Sequence, residues 1–132
     1  MYKSITIGEK NIQLKGSIFS QLIYKQAFGI DMLVQLNKVR KQQLKLKEIA
    51  SEKSNEDNND RDDEELAEMM ELSFKVKLEY YKFLWAFAKG ADRTLPAFED
   101  WISELEPVAF PDVADVVNET VSAMIRIDRK NA

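Results

Sequence analysis

Apolar residues alternate at the start of the chain and recur with a helical period through most of the rest. Ile5, Ile7, Ile12 and Leu14 fall two apart on either side of Gly8-Glu9-Lys10-Asn11, the alternation of two half-buried strands around a turn. A β-hairpin is therefore predicted over 1–15. Two strands alone are marginal in water, so the apolar face of the hairpin must pack on helices or pair with another chain. Ser17 suits the cap of a short helix whose Ile18, Phe19, Leu22, Ile23 and Ala27 form one side, read here as core, and Gly29 suits its stop. Asp31 is placed to cap a second helix from Met32 to about Ala50. Its stripe of Leu33, Val34, Leu36 and Val39 thins as Lys38, Arg40, Lys41, Lys45 and Lys47 accumulate, the pattern of a helix that projects beyond a core.

Residues 51–63 carry charge and amide side chains without an aliphatic anchor, so an acidic mobile loop is expected there. A third helix is expected from Asp62 or Asp63 to about Lys89, stopping before Gly90, with clustered acids at its positive end. Leu66, Met69, Met70, Leu72, Phe74, Val76, Leu78, Tyr81, Leu84, Trp85 and Ala88 cover more than one of its faces, which makes its C-terminal half the expected centre of the domain. Beside it, the basic end of the second helix would neutralise the acids in an antiparallel pair. Thr94 is read as the cap of a short helix with Pro96 in its first turn and Phe98, Trp101, Ile102 and Leu105 on it. After Pro107 and Pro111, Asp112 is read as the cap of a last helix with Val113, Val116, Val117, Thr120, Val121, Met124 and Ile127 at intervals of three and four, followed by a polar tail over 128–132. The expected class is mainly α, a single helical domain over 1–132 of about five helices with a short N-terminal β-hairpin.

Chemistry narrows the function by subtraction. The chain has 132 residues, 45% of them hydrophobic, and no apolar run near the roughly 20 residues of a membrane span, so no membrane partner is expected. Met1-Tyr2-Lys3-Ser4 opens into strand alternation and not into a secretory leader, which places the expected location in the cytoplasm. Without cysteine or histidine there is no thiolate or imidazole ligand, disulfide, or cysteine or histidine catalyst. No phosphate-cradling or nucleophile-elbow motif occurs either, so the expectation is no enzyme, no cofactor and no metal. Asp57, Asn59 and Glu68 match three ligand positions of an EF-hand loop, but Arg61 replaces a ligand and Asp62 replaces the required glycine. A net charge of -4 argues against a general nucleic-acid binder. The alternative reading is a small helical nucleic-acid-binding regulator using the basic helix over 38–47, although no aromatic residues are interleaved there for stacking.

The aromatic residues offer the one partner surface. Tyr80, Tyr81, Phe83, Trp85, Phe87, Phe98 and Trp101 are at once core formers and groove formers. One helix cannot bury residues facing every direction, so some of them are expected at a surface or subunit interface. Tyr80, Tyr81, Trp85, Phe98 and Trp101 are the candidate partner-binding residues.

The same region carries a resemblance. Trp85-Ala86, Ala88, Ala91-Asp92, Pro96, Phe98-Glu99 and Trp101-Ile102, with Phe28-Gly29-Ile30-Asp31-Met32-Leu33 upstream, resemble the signature of the tail assembly chaperones of long-tailed bacteriophages. With the hairpin start, the resemblance runs over most of the chain. It implies a protein that binds the tape measure protein, keeps it soluble and extended, promotes polymerisation of the tail tube around it, and is absent from the mature virion. It also implies self-association into a homo-oligomer, and contact with the major tail tube protein through a longer form made by programmed frameshifting. Arg129-Lys130-Asn131 admits a slippery heptamer of the A AAA AAC type two codons before the end.

Overall fold

In a computed structural model, which describes residues 2–55, 63–105 and 110–130, the chain is mainly helical with an N-terminal hairpin, as the periodicity predicts. Strands β1 (Tyr2–Ile7) and β2 (Lys10–Lys15) pair antiparallel with Ile5 opposite Ile12 and Ile7 opposite Lys10. Their loop is only Gly8-Glu9, two residues shorter than expected. Gly8 takes φ 63 at the first central position, the arrangement of a type II′ turn, whose twist suits the flanking strands. Ile7 and Leu14 share one face of the ribbon and are buried.

Helix α1 (Ile18–Phe28) begins and ends as the sequence predicts. Ser17 Oγ accepts from Ser20 N and Ser20 Oγ accepts from Ser17 N, a reciprocal capping box. Gly29, at φ 77, donates its N–H to Lys25 O in the left-handed closure that glycine adopts without steric cost. The face of α1 differs from expectation. Ser20, Ile23 and Tyr24 are buried, while Ile18, Phe19, Leu22 and Ala27 are exposed.

The reason lies in a close approach at Gly90. A side chain at Gly90 would sit 3.1 Å from Lys15 O and 3.3 Å from Ser20 Cβ, so the small Ser20 is the residue that fits there. Gly90 is therefore a point of close approach inside a helix and not the expected stop, and α3 (Asp63–Ala91) continues through it. A side chain at the buried Gly16 would lie 2.8 Å from Thr120 Cγ2.

Helix α2 (Met32–Asn55) runs five residues beyond the expected Ala50, since Ser51–Asn55 contains the helix formers Glu52 and Lys53. The centre of the expected acidic loop, 56–62, including Asp57, Asn59, Arg61 and Asp62, lies outside the described residues. Helix α4 (Phe98–Ser103) is capped at Ala97 with no side-chain bond, so Thr94 is not its cap. Helix α5 (Phe110–Lys130) starts two residues before Asp112, which is thereby a first-turn acid and not the cap, and it takes in most of the expected polar tail. Of the predicted stripe it buries Val113, Val117, Thr120, Val121 and Met124, leaves Val116 half-buried, and packs on β1, while the Ile127 side chain lies outside the described residues.

The chain, expected as one domain, forms two compact units. One comprises Met1–Met32 with Tyr80–Ala132, the other Leu33–Glu79, so the division falls within α3. The first holds most of the buried apolar residues. In the second Leu36, Val39 and Val76 are buried, and Gln42 Oε1 is buried without a hydrogen-bond partner among the described residues.

Candidate functional site

The segments that carry the chaperone resemblance meet in one aromatic cluster of the first unit. Phe28, from the end of α1, lies with its ring centroid 5.6 Å from Trp85 on α3 and 5.6 Å from Phe98 on α4, edge to face in both cases. Phe98 in turn stands 6.2 Å from Trp85 and 6.4 Å from Trp101. Tyr24 extends the cluster, stacked on Phe83 at 5.1 Å, and Tyr80 meets Phe83 at 6.0 Å. Separations of this kind suit the quadrupoles of the rings and add to their burial. Trp85 Nε1 donates to Pro96 O at 3.0 Å, which ties the α3–α4 connection to the core. The ammonium groups of Lys82 and Lys89 lie over Phe28 and Trp85 at 5.2 and 5.3 Å.

Burial decides what this cluster can do. Tyr80, Trp85 and Trp101 are 0%, 3% and 6% exposed, and Tyr81 and Phe98 are half-buried. The five candidate partner-binding residues thus shape an interior more than they present a surface. Trp101 is the one of the five that lines an open groove of about 520 Å³, between β2 and the end of α3 with α4. Ile12, Leu95, Pro96 and Leu105 supply its apolar walls, and Lys10 and Glu104 supply charge. Its size is that of sites that hold a few side chains of a ligand.

Asp92, another residue of the motif, lies on this groove and holds the turn after α3. Its carboxylate accepts from Thr94 Oγ1 at 2.6 Å and from Thr94 N at 3.0 Å. Those two bonds, the hydroxyl first, hold the exposed Asp92 carboxyl below its ordinary pKa. Thr94, expected as a helix cap, instead closes this turn, because an Asp two residues earlier takes both of its donors.

The side of α1 read as core from the sequence is largely open, and other apolar residues are open with it. Ile18, Phe19 and Leu22 on α1, and Leu66, Met70 and Phe74 on α3, are exposed, along with Leu33, Val34 and Leu44 on α2. Lys38, Arg40, Lys41, Lys45 and Lys47 are exposed as well. No group of three or more metal-ligating side chains occurs among the described residues, and none of their helices is long and apolar enough to cross a membrane. Compared with family models, with curated proteins and with solved structures, the chain matches none.

Proposed function

We propose that this protein is a non-enzymatic assembly chaperone of phage tail morphogenesis, acting in the host cytoplasm on the tape measure protein. The observation that carries the reading is the convergence of Phe28, Trp85, Phe98 and Trp101, which are far apart in sequence and are the residues on which the family resemblance rests. They form one packed cluster, as residues specifying a common fold would.

The mechanism is reversible burial of amphipathic client helices on apolar surface, with several copies along one extended client. The groove beside Trp101 is the seat in the first unit, where Ile12 and Leu95 offer apolar contact and the turn fixed by Asp92 and Thr94 holds the rim. Binding of this kind needs side-chain contact and exclusion of water and no catalytic group.

Co-expression with a cognate tape measure protein tests the reading. Soluble tape measure protein that co-purifies with this chain, and is lost with Ile12→Lys or Leu95→Lys, is the expected result. Tape measure protein that stays equally insoluble with and without the chain contradicts it. At the genetic level, a slippery heptamer at codons 129–131 with an open overlapping frame is expected, and synonymous codons that break it should abolish the longer form. Salt-sensitive binding of DNA or RNA by 38–47, without tape measure binding, would favour the regulator reading instead.

A further inference from the structure

The two-stranded sheet has an edge that β1 does not cover. Ile7 and Lys10 close the two-residue turn as a hydrogen-bonded pair, and bonded and non-bonded pairs alternate along the ribbon. Ile5 with Ile12 is then the next bonded pair, while Thr6 with Asn11 and Ser4 with Gln13 are non-bonded. The backbone N–H and C=O of Asn11 and Gln13 therefore point away from β1. Neither residue makes a backbone bond outside the ribbon among the described residues.

The groove beside Trp101 runs along this edge. Lys10, Asn11, Ile12 and Gln13 all line it, although consecutive side chains of a strand stand on opposite faces, so what they present to it in common is the strand edge. The side formed by α3 and α4 supplies Leu95, Pro96, Trp101 and Leu105. A helix seated here would cover the edge groups and offer them nothing, because its own backbone is already paired. An extended segment satisfies them and turns every second side chain toward the apolar wall. Charge narrows the segment further. Thr94 bonds only Oδ1 of Asp92, so Oδ2 is open, and the Glu104 carboxylate has no partner among the described residues. Against these two carboxylates the groove sets the single ammonium of Lys10.

We propose that the β2 edge takes a third strand, an extended peptide segment with apolar residues at alternate positions and a lysine or arginine beside Asp92 and Glu104. Such pairing turns a marginal two-stranded ribbon into a three-stranded sheet. It narrows the client contact at this groove to an extended stretch between client helices, and rests on the chaperone reading for the identity of the client alone.

The test uses the purified full-length chain and a synthetic peptide without tape measure protein, so the two readings fail separately. The probe is a fluorescein-labelled peptide of about eight residues, alternating valine and threonine with one central lysine. Fluorescence polarisation should show binding, and NMR should show slowed amide exchange at Asn11 and Gln13. Two further peptides carry methyl groups on alternate backbone nitrogens, one on each edge of the strand. One of them should bind at least about tenfold more weakly and the other should bind as the parent does, since only one edge faces β2. Gln13→Pro removes an outward N–H that the β1 ladder does not use, so it should keep the wild-type circular dichroism and weaken binding. Should that variant unfold, the methylated peptides decide alone. Glutamate in place of the peptide lysine should weaken binding, and Glu104→Lys should reverse that preference. No binding at millimolar peptide, equal loss with both methylated peptides, or protection that spares Asn11 and Gln13 would each overturn the proposal. Peptide binding as expected, with no effect of the chain on tape measure protein, would support the strand edge and contradict the chaperone reading alone.

Discussion

The two halves of α3 belong to one unbroken helix and behave as different materials. From Tyr80 to Ala91 the helix buries Tyr80, Phe83, Leu84, Trp85, Ala86, Phe87 and Ala88, nearly every direction around its axis. From Asp63 to Glu79 it leaves Leu66, Met70 and Phe74 in solvent and buries Val76 and Glu79. Hydrophobic content alone does not separate the halves, since both contain large apolar side chains at helical spacing. What separates them is the company each keeps. The aromatic half has small residues, Ala86, Ala88 and Gly90, that admit neighbours closely, whereas the first half is surrounded by carboxylates that require water. Burial in a helix is thus decided by what can approach it.

Truncation on each side breaks this comparison most directly. Trp85→Ala should cost about 3–5 kcal/mol in denaturant unfolding, through the lost ring contacts and the cavity left behind. Phe74→Ala, a similar deletion only a few turns away, should change stability by no more than about 0.5 kcal/mol. Equal losses at the two sites would remove the distinction.

Close approach is tested next. Gly16→Ala should destabilise by about 1–3 kcal/mol, because the new methyl meets Thr120 Cγ2 and that side chain cannot turn away freely. Thr120 Oγ1 donates to Val116 O at 2.7 Å, and rotation would break this bond. Gly90→Ala should cost less than Gly16→Ala, since a helical alanine regains up to about 1 kcal/mol against the steric conflict with Lys15 O.

In the second unit the expected sign reverses. Gln42→Leu should raise stability by about 1 kcal/mol by removing a buried acceptor that lacks a partner. The smallest effect is electrostatic. Thr94→Ala should return the Asp92 pKa toward its ordinary value, as read by NMR titration of the carboxyl. Because the carboxyl is lowered in the folded protein, its contribution is present above the ordinary carboxylate range. It is lost as pH falls through the lowered value, and Thr94→Ala should abolish that loss.

Features governed by local chemistry were legible in the sequence. The hairpin alternation, the Ser17 cap, the Gly29 stop and the valine stripe of α5 each depend on neighbours within a few positions. The buried face of α1 was not legible. Ile18, Phe19 and Leu22 are more apolar than Ser20, and only the approach of Gly90 from elsewhere in the chain selects the smaller residue. Gly90 itself reads as a stop in isolation because a contact across the fold leaves no local mark. For the candidate site, the aromatic residues were visible but their exposure was not. Tyr80 and Trp85 carry the pattern of a groove and form an interior instead, because Phe28 and Phe98 arrive from α1 and α4 against Trp85 and Tyr80 meets Phe83. Asp92 was visible as a motif residue, and its bond to Thr94 was masked by the capping position Thr94 appeared to hold.

Residue-resolved amide hydrogen exchange along α3 tests the division of this helix most directly. Tyr80–Ala91 should exchange slowly, whereas Asp63–Glu79 should exchange faster. Uniform protection along the helix would contradict the contrast between its halves.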